Sequence, residues 1–251
     1  MSGHSKWSTI KRKKARLDAS RGKVWSKCVR AIMVAARTGG SNPNDNLSLR
    51  YAIDKAKAVN VPKDTIEKAI RKGAGKATGQ SFDQVVYEGY GPGGVAFMVE
   101  CLTDNRNRTT PEMRKLFERV GGQMGSSNCV AYLFESKGTF LIAADAADED
   151  TIMEVALEAG ADDVVADDNG HEITCEPAAF DAVKRALTAN EIAVVSAEVG
   201  MVARNTIEVT NADRAKKVLA MAEAFEDHDD VQNVYSNFDI PQEILAQTEN
   251  G

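Results

Sequence analysis

TFLIAADAADEDTIMEVALEAGADDVVADDNGHEITCEPAAFDAVKRALTANEIAVVSAEVGMV, residues 139–202, changes its hydrophobic period along its length. Alternating apolar residues bounded by Gly, Asp and Asn predict strands over 139–144, 163–166, 172–175 and 192–202. A 3.6-residue repeat predicts helices over 149–159 and 177–190. The order β-α-β-β-α-β is the split βαβ arrangement of a ferredoxin-like sandwich.

Upstream, strands are predicted over 85–90 and 95–102, joined by the glycine-rich turn 89–94. A helix opens at Thr110 and Pro111, turns Met113, Leu116, Phe117 and Val120 inward and closes at Gly121 and Gly122, and a strand follows over 130–134. Downstream, a strand at 206–210, a helix at 213–225 and a strand at 231–237 are too few to fold alone and supply what the sheet begun at Val85 needs. Residues 135–204 therefore read as a domain inserted into a discontinuous α/β domain, 79–134 plus 205–240.

Residues 1–78 read differently. Trp25, Val29, Ile32, Met33 and Ala36 form one helical stripe ended by Gly39 and Gly40. A second helix is predicted over 45–58 with Leu47, Tyr51 and Ala58 inward, and a third opens at Pro62 with Ile66, Ala69 and Ile70 inward and stops at Gly73. Segment 73–81, GAGKATGQS, has linker composition. The fold class is thus α+β: a three-domain protein with an N-terminal helical bundle and two α/β domains of ferredoxin-like type, one inserted in the other.

Charge divides the chain sharply. Nineteen of its 31 Lys and Arg residues lie in the first 76 positions against five of its 37 acids, so that segment carries +14 and the remainder −20. Lys6, Lys11, Arg12, Lys13, Lys14, Arg16, Arg21, Lys23, Lys27 and Arg30 form the densest part, with Asp18 as its one acid. Solubilising faces mix both signs, whereas a one-sign segment suits a phosphate backbone, whose counterions it displaces. These ten cations and Trp7 are the candidate nucleic-acid-binding residues. Trp7, in a polar arm, is open to stacking on an unpaired base or to packing on the bundle, while Trp25 belongs to the core stripe. Tyr90, Arg106 and Arg108 form a candidate secondary anion site, where a glycine-rich turn and the loop 104–110 lead to a helix N-terminus. The competing reading is a capped loop whose arginines pair with local acids.

Other chemistry finds little support. Cys28, Cys101, Cys129 and Cys175 lack C-x-x-C spacing and read as buried apolar residues of a reducing compartment. His4, His171 and His228 are isolated, and the acidic clusters at 145–150, 162–163, 167–168 and 226–230 read as solvated turns that turn nucleic acid away. No catalytic residue, metal ligand or cofactor is assigned, and the chain is not read as an enzyme. No apolar run reaches the roughly 20 residues of a membrane span, and no secretory signal opens the chain, so a cytoplasmic location is expected.

Four stretches carry a resemblance: MSGHSKWSTIKRKKARLDASRGKVWSK (1–27), KAKAVNVPKDTIEKAIRKGAG (55–75), VVYEGYGPGG (85–94) and VECLTDNRNRT (99–109). The chain resembles the YebC/PmpR family of probable transcriptional regulators over essentially its whole length. The resemblance implies a helical N-terminal lobe with two α/β lobes, and DNA binding with transcription regulation. Relatives that include the mitochondrial translational activator of cytochrome oxidase imply the alternative, a translation factor on ribosomal RNA. A protein partner on the acidic lobes is a further expectation. Ser126-Ser127-Asn128-Cys129 departs from the glycine that relatives tend to carry before the following strand, which puts in doubt any backbone contact with a ligand there.

Overall fold

The computed structural model describes residues 21–75, 82–167 and 170–249. Its helices are α1 (Arg21–Gly39), α2 (Leu47–Ala58), α3 (Lys63–Ala74), α4 (Arg106–Arg119), α5 (Glu149–Glu158), α6 (Phe180–Ala189), α7 (Ala212–Glu226) and α8 (Gln242–Glu249). Its strands are β1 (Asp83–Tyr90), β2 (Ala96–Thr103), β3 (Gln123–Met124), β4 (Phe134–Ile142), β5 (Ala161–Asp167), β6 (Gly170–Cys175), β7 (Val194–Ala203), β8 (Ile207–Glu208), β9 (Val231–Ser236) and β10 (Phe238–Asp239). The chain is α+β, helices first and mixed α/β structure after. Two compact units emerge, taken over their described residues: 131–208 with 235–240, and 15–130 with 209–234 and 241–251.

In the second unit α1, α2 and α3 share a core of Ile32, Ala36, Leu49, Ile53, Ala56, Ile66 and Ala69. Trp25 packs against that core, half-buried, and its indole N–H donates to Val59 O at 3.1 Å. The inward stripe of α2 is Leu49, Ile53 and Ala56, whereas Leu47 and Ala58 are exposed. This corrects the expected stripe, and the reason is the cap. Buried Asn46 starts the helix by accepting from Leu49 N at 3.0 Å, which leaves Leu47 in the first, outward turn. The Asn46 amide also donates to Ala35 O and Gly40 O, both at 2.8 Å, at the end of α1. Gly73 sits where α3 meets α1, and a Cβ there would stand 2.3 Å from Met33 O.

The same unit holds the sheet β3-β1-β2-β9. β1 and β2 pair antiparallel from Asp83↔Thr103 to Tyr90↔Ala96. Phe117 meets Phe225 edge-on at 4.7 Å and Phe97 lies 5.9 Å from Phe225, so α4, α7 and β2 share one aromatic core. The expected strand at 130–134 does not form as such: Ala131–Leu133 is a 3-10 turn, and the strand begins at Phe134. Buried Glu88 explains this, because its carboxylate accepts from Asn128 N at 2.7 Å and Val130 N at 2.8 Å and holds the approach as a loop. The place beside β1 goes to β3, which a Cβ on Gly89 would block at 2.4 Å from Gln123 O.

In the first unit the sheet order is β5-β6-β4-β7 with every neighbour antiparallel, the order a split βαβ unit generates. Phe140 stacks on Phe180 at 4.6 Å, and Ile142, Ile152, Ile173, Val183 and Leu187 complete a core between sheet and helices. Lys137 is held by Asp162 and Glu176, and Asp148 caps α5 through Thr151 N at 2.9 Å, so these acids have local structural tasks. The strand expected at 206–210 shortens to β8 and pairs with β10 in a separate two-stranded parallel sheet, not with the sheet of β1. No described helix is long and apolar enough to cross a membrane.

Candidate nucleic-acid interface

Of the expected binding residues, Lys6, Trp7, Lys11, Arg12, Lys13, Lys14 and Arg16 lie outside the described residues, and Arg21 is the first residue of α1. Lys23, Lys27 and Arg30 follow at spacings of four and three, which puts them on one side of α1. All three reach the same target. Lys23 Nζ donates to Asp227 O at 3.3 Å, Lys27 Nζ to Glu226 O, and Arg30 Nη1 to Asp229 O at 2.7 Å. These carbonyls close α7 and its turn, where the negative end of the helix dipole attracts cations.

Asp230 completes the arrangement. Its side chain is nearly buried, with Oδ1 accepting from Arg30 at 3.1 Å, and Oδ2 from Arg108 at 2.7 Å and Thr109 at 2.8 Å. Burial disfavours its ionised form, yet the hydrogen bonds from Arg108 and Thr109 and the charges of Arg108 and His228 outweigh that, and the carboxyl is held below its ordinary value. The acidic cluster at 226–230, expected as a solvated turn, is instead the seat of three cations from α1. Sequence reading missed Asp230 because no local pattern distinguishes it from Asp229.

The residues of the secondary anion site are not brought together. α4 begins at Arg106, capped by Asn105, so both arginines lie in its first turn instead of the loop before it. Arg108 pairs with Asp104 and Asp230, and Arg106 Nε lies 3.7 Å from Asp83. Tyr90 stands at the other end of β1 from Asp83, its hydroxyl donating to Cys129 O at 3.0 Å.

Among the described residues, exposed cations lie on α3, at Lys63, Lys68, Arg71 and Lys72, and at Arg37 near the end of α1. The periodicity that buries Ile66, Ala69 and Gly73 is the signal that sets these α3 side chains outward. A cleft of about 990 Å³ runs between α1 and the α/β part of this unit, with Trp25, Val29 and Met33 on one wall and Phe82, Asp104 and Glu112 on the other. Arg30 crosses it, 5.8 Å from the centroid of the Phe82 ring.

Ligand-type atoms of Glu112, His228 and Asp230 lie within 4.8 Å of one another. They do not suit a metal ion, because His228 Nδ1 accepts from Asp230 N, Nε2 meets Glu112 at 3.0 Å, and both Asp230 oxygens carry arginines. The cysteines Cys28, Cys101 and Cys175 are buried, and burial, reinforced by Asp230, pushes the Cys101 thiol up to about 12.

A cationic helical bundle is joined here to acidic α/β structure, so the chain carries its two signs of charge in different parts. Residues 5–76 match the TACO1/YebC protein N-terminal domain and residues 82–238 the TACO1/YebC second and third domain, so the chain belongs to the TACO1/YebC family. It is 50% identical over 247 residues to a probable transcriptional regulatory protein of Desulfotalea psychrophila, spanning 98% of this chain and 99% of that one. It is likewise 50% identical over 248 residues, with the same coverage, to a probable transcriptional regulatory protein of Persephonella marina. The crystal structure of the conserved hypothetical protein Aq1575 of Aquifex aeolicus superposes with a TM-score of 0.82 at 46% identity, covering 91% of this chain and 94% of that one.

Proposed function

We propose that this chain is a cytoplasmic, DNA-binding regulator of gene expression that grips the phosphate backbone with its N-terminal segment. One observation carries the reading: five cations in the six residues 11–16, inside a segment of +14 attached to a body of −20. Such density cannot be neutralised by neighbours along a helix and suits counterion release. The names of the relatives support a regulator, and the outward cations of α3 extend the positive surface. The reading assigns no catalysis and no cofactor. Fluorescence anisotropy of the whole protein with duplex DNA and with a ribosomal RNA hairpin tests it. Tighter binding to DNA, lost on replacing Lys11, Arg12, Lys13 and Lys14 with alanine, supports the reading. Tighter binding to the hairpin would replace it with a translation factor on ribosomal RNA, and binding to neither would overturn both.

A further inference from the structure

Three of the ten cations assigned to nucleic acid are already occupied by the molecule itself. Lys23, Lys27 and Arg30 bond to one turn, through the carbonyls of Glu226, Asp227 and Asp229 and the carboxylate of Asp230. To these side chains the turn offers what a phosphate backbone offers, a row of oxygens beside negative charge. While they hold the turn, their nitrogens lie against its carbonyls and the Asp230 carboxylate, so a phosphate has to displace or share those partners.

The surroundings permit exchange. The bundle has its own apolar core, and among the described residues none of its helices packs broadly on a helix or strand of the α/β part. The seam is polar contacts beside a cleft, and the segment that joins α3 to β1, 75–82, has linker composition. Asp230 also keeps partners when Arg30 leaves, since Arg108 and Thr109 hold Oδ2. Removing Arg30 does not strand a buried, unpaired carboxylate, the usual obstacle to opening an ion pair of this kind.

We propose that the 226–230 turn is an internal competitor of nucleic-acid phosphate for Lys23, Lys27 and Arg30, so that the polyanion engages the whole basic face only when the bundle leaves the turn. This rests on the nucleic-acid reading above and adds its regulation. Apparent affinity is then the affinity of the open form scaled down by its population.

Asp230→Asn weakens the turn's hold on Arg30 while keeping the side-chain shape. In a folded variant, anisotropy with the same duplex should show binding about fivefold tighter than wild type at equal salt, as the open fraction rises. Unchanged or weaker binding overturns the competitor. Should the variant fail to fold, hydrogen exchange on the wild-type chain decides: saturating duplex should speed exchange in peptides covering 226–231, and unchanged or slower exchange overturns the proposal. A wild-type chain that binds no nucleic acid brings down the function and the competitor together, whereas binding without either effect brings down the competitor alone.

Discussion

Arg30 and Arg108 stand on opposite oxygens of one carboxylate, Arg30 Nη1 at 3.1 Å from Asp230 Oδ1 and Arg108 Nη2 at 2.7 Å from Oδ2. The first comes from the bundle and the second from α4, so one acid ties two elements to the α7–β9 turn. Its pKa is lowered in the folded chain. A carboxyl with a lower folded than unfolded pKa adds stability above the unfolded value, about 3.9, and that stability is lost as pH falls through the folded value. Urea unfolding at a series of pH values from about 7 down to about 3 should therefore show a steeper acid decline for wild type than for Asp230→Asn. Parallel declines would show that the pairing adds nothing to folding.

Glu88 holds two amides, that of Val130 buried and that of Asn128 part-buried. Glu88→Ala leaves the buried Val130 donor without this acceptor and should cost about 2–3 kcal/mol, most of it the desolvation of that donor. Tyr90→Phe removes only the bond to Cys129 O and should cost about 1 kcal/mol. Chemical denaturation reads both, and a Glu88→Ala cost no larger than that of Tyr90→Phe would contradict the clamp.

Gly73→Ala puts a methyl 2.3 Å from Met33 O, which is backbone and cannot swing away. The bundle should lose about 1–3 kcal/mol, the usual penalty of overpacking, although alanine is the better helix former. Thermal melts followed by circular dichroism measure this, and a rise in Tm would mean that α1 and α3 have room to part.

With about five phosphates neutralised, the logarithm of affinity should fall with the logarithm of salt at roughly −4.5 on duplex DNA or −3.5 on single strands. Alanine at Lys11, Arg12, Lys13 and Lys14 should flatten the slope by a few units. An affinity indifferent to salt would point to a protein partner.

The division into 1–78, 79–134 plus 205–240, and 135–204 is a proposal with its own test. Residues 135–204 expressed alone should give a dispersed amide spectrum and a cooperative melt. A disordered fragment would reject the insertion.

The β4-to-β7 unit was legible because its changes of period fall at glycines such as Gly160 and Gly170, and its order follows from connectivity. β3 was not, since two residues carry no period. The inward face of α2 was misjudged because a side-chain cap, not hydrophobicity, sets where that helix starts. At the site, the N-terminal segment was legible as charge. The partners of its last members were not: Arg30 meets Asp230 across 200 positions and Arg108 across 122, and no window along a chain joins residues so far apart.

Asn46 finishes one helix and begins the next with a single side chain, accepting from Leu49 N while donating to Ala35 O and Gly40 O. Fraying at either end withdraws the partner that the other end needs. The corner between α1 and α2 is thereby a cooperative joint, and slow amide exchange at Gly40 and Leu49 should report one shared opening event instead of two independent ones.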